Sequence, residues 1–470
     1  MAARMACLLM VSAALMALTA LSAWADFERS LYSEEKMAIL RNNLDKYEWA
    51  QKQRDAEIAR AEQWVAYDDE KLRNMVVPPD VPRAYDIHNF GCPVHGVEAN
   101  AKGLYTWKID PDRPYKIVCP AGGEEYPAND FAAYLASGMQ DKSLLFNPEH
   151  PDPADPLHKQ YVDDGWGWNK EGDPTNYWFV AYYAHWSMRQ FTLPAIESLG
   201  MAALLSDDLE QARVYAHKCA VLLWQFAEYY PDYYYEKQSR EGKEHNPNYL
   251  GRYTNMIWEC GTPGRCAAAF DAIRPFLAED RELEALTGKS VAEIDATIRE
   301  RLLLTGARDI MDGSGRTRGN YGMHQNALIT IAAVLKNDDV QPTVEEMIQY
   351  VVNNPRPATS SDIGIEDALV NLLHRDGMPQ ESIGYNYGWV SNLATIASSL
   401  ADVDINFFTN PRFQKLLTWP LDVRIAGRFV PPLGDTGNMF AAAGSLNASQ
   451  ANMAVRHWPD PRMVQIARAN

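Results

Sequence analysis

The chain has 470 residues, 47% of them hydrophobic and 23% charged, and carries a formal net charge of -18. So much apolar sequence builds sizeable cores in two or three domains, and the acidic balance argues against nucleic acid as a partner. A polyanionic ligand would need cationic groups gathered locally to receive it.

The N-terminus, MAARMACLLMVSAALMALTALSAWADF, opens with a positive charge at Arg4, runs through an apolar stretch and reaches Ala23-Trp24-Ala25. This predicts a signal peptide over 1–25, a periplasmic or secreted protein, and no membrane association once the leader is gone. A membrane anchor is the competing reading; no other apolar run is long enough to span a bilayer. In the segment 26–83, Leu31, Met37, Leu40, Leu44, Tyr47, Ile58, Ala61 and Trp64 recur at helical spacing. They predict one long helix or a hairpin, closed by the Pro-rich VVPPDVPR.

Residues 84–130 change character. The short β-like pieces LYTWKI and YKIVCP sit between turn signals, and CPVHG is echoed by CPAGG. Two Cys-Pro-x-x-Gly knuckles resemble a zinc ribbon. Only Cys92, His95 and Cys119 offer ligands, because Gly122 stands at the expected fourth place. The small knuckle region therefore reads as a disulfide or a degenerate knuckle, with a structural zinc as the alternative and no cofactor required. Of six cysteines, Cys7 falls in the leader, which leaves an odd number for an oxidising compartment. Cys92–Cys119 and Cys260–Cys266 are the expected disulfides, and Cys219, in AHKCAVLLWQF, a buried free thiol.

From 131 to 470 the pattern is helical throughout. Helices are predicted over 176–199, 207–236, 266–278, 291–312, 323–336, 343–354, 364–374, 387–402 and 411–427. Successive hairpins with apolar faces predict a mainly α fold, a complete or incomplete (α/α) toroid. A phosphate loop, a Rossmann fingerprint, HExxH and GxSxG are all absent.

Two stretches carry chemistry. In RGNYGMHQNALI, Asn320 is placed to cap an apolar helix with His324 in its first turn. That is an ordinary helix start, and equally a place where free N–H groups, Asn320 and His324 could hold a carboxylate. In DGMPQESIGYNYGW, residues 376–389, Glu381 and Tyr385 are four apart and share a face if helical. A third stretch, PPLGDTGN, is a sharp turn that projects Asp435. The aromatic content of 11%, with 13 Trp and 24 Tyr, suits both core packing and clefts that stack on sugar rings.

Taken in order, CPVHG and CPAGGEEYP, DDGWGW with NYWFVAYYAHW, RGNYGMHQNAL, DGMPQESIGYN and PPLGDTGN resemble the heparinase II/III-like and alginate-lyase-like polysaccharide lyases. The resemblance implies a toroid followed by a β-sandwich, and β-elimination on an acidic, uronate-containing polysaccharide. The chain closes on HWPDPRMVQIARAN, so the sandwich is expected to be absent from it. Carried over, Asn320 and His324 bind the uronate carboxylate and Tyr385 handles protons. Candidate substrate contacts are Arg252, Tyr177, Trp178, His185, Glu381 and Tyr387; His217 and His374 read as structural residues without partners. Three rivals stand beside this reading. A glycoside hydrolase would use Asp376 with Glu381 or Asp435. A uronate C5-epimerase would exchange the C5 proton without cleavage, and a glycan-binding protein would turn nothing over.

Overall fold

The polar N-terminal segment breaks where Tyr47 adopts an extended backbone, giving α1 (Glu34–Lys46) and α2 (Glu48–Val65) instead of one long helix. A short α3 (Asp69–Asn74) follows, its first turn capped by Asp68 accepting the Lys71 N–H at 2.7 Å. The computed structural model describes residues 27–87, 91–101, 103, 106–173, 175–239, 250–355, 361–423, 425, 429–434 and 448–468. The expected signal peptide and Asp435 lie outside the described residues.

The two β-like pieces become β1 (Lys108–Ile109) and β2 (Ile117–Val118), and β3 (Glu125–Tyr126) completes an antiparallel sheet with Lys108 opposite Val118 and Ile117 opposite Tyr126. After α4 (Phe131–Ala136), a small hairpin pairs β4 (Trp168–Asn169) with β5 (Asn176–Tyr177). The sheet is not a separate core. Tyr126 stacks on Phe179 with ring centroids 4.6 Å apart, and Trp107, Tyr115 and Ile117 join the same buried cluster as the helices.

Among the described residues the named elements that follow are helical, so the protein is mainly α. Helix α5 (Phe179–Ser187) passes through a π-helical turn, Met188–Thr192, into α6 (Leu193–Leu205); α7 (Leu209–Tyr229) and α8 (Thr262–Leu277) follow. Beyond α9 (Arg281–Thr287), α10 (Val291–Thr297) runs through a second π-helical turn, Ile298–Leu304, into α11 (Thr305–Met311). The remainder comprises α12 (Met323–Val334), α13 (Val344–Asn353), α14 (Ile365–Asn371), α15 (Ile383–Ala401), α16 (Pro411–Asp422), α17 (Ala448–His457) and α18 (Pro461–Arg468). The predicted helix over 176–199 thus splits into a strand and two helical phases, and α15 starts four residues before the predicted 387.

Helices α2, α6, α8, α12, α15 and α17 form a row in which each packs on the next, while α7, α13 and α16 flank it. Glycines set the spacing of the row. A Cβ on Gly200 of α6 would stand 3.0 Å from the Ala269 backbone of α8, and one on Gly264 of α8 only 2.7 Å from Cα of Ala327 in α12. At Gly322, just before α12, it would reach Cβ of Asn392 in α15 at 2.8 Å. Backbones this close interlock small-residue ridges, which larger side chains would hold apart.

The cysteines correct the sequence expectation. Cys92, Cys119, Cys260 and Cys266 are all buried free thiols, so neither expected disulfide is formed. Cys219 is the buried thiol expected, 3.3 Å from the Ile196 carbonyl. His217 is not without partners: its Nδ1 lies 3.0 Å from Asp280 and its Nε2 3.2 Å from Asp69. Among the described residues no helix is long and apolar enough to cross a membrane.

Candidate active site at the starts of α12 and α15

The loop RGNYG is held before it reaches the helix. Arg316 pairs with Glu236 at 2.9 Å and lies over the Tyr234 ring. Gly319 presses on Cys260, where a Cβ would come within 2.5 Å of Sγ. The helix start differs from the expectation at Asn320. The cap is Gly322, in the left-handed region at φ 91, and the Gln325 side chain accepts its N–H at 2.9 Å. Gln325 also donates to the Ser361 carbonyl at 2.7 Å. Asn320 sits two residues before this cap, half-buried, and its carbonyl receives the Met323 N–H.

His324 is fully buried beneath this loop. Its Nδ1 accepts the Gly319 N–H at 3.4 Å, which leaves the proton on Nε2, 3.3 Å from Asp362 Oδ1. That second contact is close but outside hydrogen-bond geometry. Burial lowers the imidazole below its ordinary range, with Asp362 opposing and Arg318 adding to the shift, so the ring is neutral near pH 7. Arg318 Nη1 stands 3.7 Å from the other Asp362 oxygen. The carboxylate expected from a substrate at His324 is therefore supplied by the chain itself. Asp362 is the residue that sequence reasoning missed: SSDIGIEDAL carries no signal linking it to a histidine 38 positions earlier.

The second stretch arrives from α15. Ser382 precedes the helix, so Glu381 lies outside it and does not share a helical face with Tyr385. Glu381 is instead anchored: its carbonyl accepts Asn386 Nδ2 at 3.0 Å, and its carboxylate receives Trp389 Nε1 at 3.4 Å. Tyr385 lies in the first turn of α15 and is 43% exposed. One turn later, Trp389 stacks on Tyr321 with centroids 4.2 Å apart, joining the RGNYG loop to α15. The Tyr321–Trp389 stack thus joins the loop that carries Asn320 and leads to His324 to the helix that carries Tyr385 in its first turn, with Glu381 bonded to Trp389. Tyr387 turns away, its ring 5.2 Å from Trp419. Asp376 accepts the Met378 N–H inside its own turn.

No protein-family model matches the chain, and no curated protein matches it.

The remaining candidates fall into two other clusters. Arg252 is buried and committed: Nε and Nη2 grip both oxygens of Asp309 at 2.6 and 2.9 Å, and Nη1 donates to the Pro231 carbonyl. A guanidinium engaged in this bidentate way is not free for a substrate anion. Beside it Glu259 accepts from Tyr230 and from the N–H groups of Tyr253 and Thr254, and burial pushes its carboxyl up to about 7. His185 lies among the rings of Trp186, Trp258, Tyr235 and Tyr253, and neither of its nitrogens has a hydrogen-bond partner among the described residues. Tyr177 and Trp178 belong to the sheet end. Tyr177 pairs with Trp168 across the β4–β5 hairpin, and Trp178 is buried against Gly167, where a Cβ would clash at 2.6 Å. Trp178 is therefore core, not a sugar platform.

An open groove of about 430 Å³ crosses α6, α8, α12 and α15, floored by Gly264 and Ala327 and walled by Arg265, Asn326, Thr330 and Asn392. None of the candidate residues lines it, although Met323, beside His324, does.

Proposed function

We propose that the chain is a heparinase II/III-like polysaccharide lyase, exported and built on an (α/α) toroid, that cleaves uronate-containing glycans by β-elimination. The row of packed helices suits a toroid, in which helix starts gather at one end. The observation that supports the reading is the junction of α12 and α15, where Tyr321 of the RGNYG loop stacks on Trp389, one turn along α15 from the exposed Tyr385.

The chemistry follows from these groups. Removing the proton at C5 of a uronate builds negative charge on its carboxylate, and donors aimed at that carboxylate stabilise it. Asn320 and the half-exposed Arg318 face that task. His324, neutral and backed by Asp362, positions the loop instead of touching substrate. Tyr385 is left as the proton-handling group. Entering the step as the base, Tyr385 takes the C5 proton on its side-chain oxygen. The electron pair then forms the C4–C5 double bond, the C4–O bond breaks, and the proton returns to the leaving oxygen.

A panel of uronate polysaccharides followed in the ultraviolet tests the reading. Turnover should generate an unsaturated uronate chromophore, and Tyr385→Phe should lower the rate by about 10²–10⁴-fold. Cleavage without the chromophore would make the protein a hydrolase. Exchange of the C5 proton without cleavage would make it an epimerase, and unaltered turnover in Tyr385→Phe would remove Tyr385 from the mechanism.

A further inference from the structure

Four side chains with metal-ligand chemistry meet at the edge of the small sheet, remote in sequence from the lyase residues. One ligand atom each from Cys92, His95, Cys119 and Glu124 all lie within 4.8 Å of one another. Both sulfurs are 3.8 Å from His95 Nδ1, and Glu124 Oε2 is 3.3 Å from the same nitrogen. A tetrahedral zinc holds sulfur at about 2.3 Å and nitrogen or oxygen at about 2.0–2.1 Å. Those bond lengths place sulfur about 3.6 Å from nitrogen, and nitrogen about 3.3 Å from oxygen, across the tetrahedron. The observed separations fit that pattern closely.

Two features make this more than a chance cluster. First, Glu124 Oε2 is buried with no hydrogen-bond partner among the described residues; its approach to His95 lacks hydrogen-bond geometry. A carboxylate oxygen is rarely buried in this way unless something cationic receives it. Second, the backbone is shaped for convergence. Cys92 and Gly96 exchange N–H···O bonds of 3.1 and 2.8 Å, a closure that leaves no room for a side chain at Gly91. In the second turn, Cys119 N–H donates to the Glu124 carbonyl at 2.8 Å. A Cβ on Gly122 would stand 2.1 Å from His95 Cε1 and 2.4 Å from a Glu124 oxygen. The glycine at the apparently missing ligand position is thus the gap through which the carboxylate enters. The sulfurs are also supplied with donors: Val94 N–H toward Cys92, the Ala121 and Gly122 N–H groups toward Cys119, and the Tyr126 hydroxyl 3.4 Å from Cys92.

We propose that Cys92, His95, Cys119 and Glu124 form a closed structural zinc site, with Glu124 as its fourth ligand. Two thiolates with an imidazole select zinc over calcium or magnesium. Four protein ligands leave no open position for substrate, so the ion holds the fold together and does no chemistry. It would staple the CPVHG and CPAGG turns and, through Tyr126 stacked on Phe179, fix the sheet against α5.

Elemental analysis of the purified full chain should find one zinc per molecule, and reconstitution with cobalt(II) should give a thiolate-to-cobalt charge-transfer band. Glu124→Gln keeps the side-chain shape and should weaken zinc in chelator competition by more than about 100-fold, beyond the 10–100-fold typical of outer-sphere groups. Cys92→Ser should lose the cobalt band, whereas Cys219→Ser should keep it. If Cys92→Ser does not fold, Glu124→Gln and the cobalt spectrum of the unaltered chain still decide the matter. A folded chain that binds no zinc after reconstitution under reducing conditions overturns the site, as does a Cys92–Cys119 disulfide found by mass spectrometry. Unchanged zinc affinity in Glu124→Gln overturns the assignment of the fourth ligand.

Discussion

His324 and His185 are both fully buried, and burial pushes both imidazoles below their ordinary range, yet they sit in unlike surroundings. His324 has a backbone N–H on one nitrogen and a carboxylate facing the other, and through them it ties the RGNYG loop to Asp362. His185 has four aromatic rings within 6.5 Å and no hydrogen bond to either nitrogen, and Arg189 and Arg83 disfavour its charge further. The first is a polar joint whose geometry matters; the second is packing that carries two polar atoms at a cost. In the sequence the two look alike, each a histidine inside an apolar helical run.

Substitutions should separate them. Asp362→Ala removes the carboxylate between His324 and Arg318 and should cost about 2 kcal/mol, because the buried Nε2–H of a neutral His324 is left facing no acceptor. A urea denaturation midpoint measures it. His185→Phe should stay within about 1.5 kcal/mol of the unaltered chain, since an aromatic ring replaces a ring among aromatics. A loss as large as that of Asp362→Ala would erase the distinction.

Acid should act on both histidines. Below about pH 6.5 the unfolded chain binds protons that the buried rings refuse. Stability therefore falls on acidification, by up to about 1.4 kcal/mol per pH unit for each ring. His185→Phe should make that slope shallower by one proton, read from melting temperatures between pH 7 and 5. His217 runs the other way. Burial opposes its charge, but Asp280 and Asp69 outweigh burial and raise its pKa. Its contribution is thus complete below about pH 6.5 and fades as pH rises through the raised value. His217→Gln should remove that alkaline decline. The smallest effect on stability belongs to Asn320→Ala, whose side chain makes no hydrogen bond among the described residues. It should change stability by less than about 0.5 kcal/mol while raising KM for a uronate substrate several-fold.

Much of the helical frame was legible in the sequence because apolar spacing and caps agree. Ser290 with Glu293 and Thr343 with Glu346 form capping boxes at the starts of α10 and α13. Less legible were features set by tertiary contact. Gly322 displaces Asn320 as the cap because the backbone must pass Asn392. The π-helical turns at Met188–Thr192 and Ile298–Leu304 shift the phase of helices that periodicity reads as continuous. Of the candidate site, Asn320, His324, Glu381 and Tyr385 were proposed from local pattern, whereas Asp362 reaches His324 only through the fold. Glu124, two residues past Gly122 in CPAGGEEYP, is likewise brought beside Cys92, His95 and Cys119 by the turn and not by knuckle spacing.

The glycines at 200, 264 and 322 have a mechanical meaning for the site. They make the helix row a train of joints without clearance, running from α6 through α8 and α12 to α15. A methyl group at Gly264, deep in the scaffold and far along the chain from Tyr385, would push α12 away from α8 and carry the Tyr321–Trp389 stack with it. The alignment of the RGNYG loop with the start of α15 is thus a tolerance set at three hydrogen-sized contacts, two of them far from that junction along the chain.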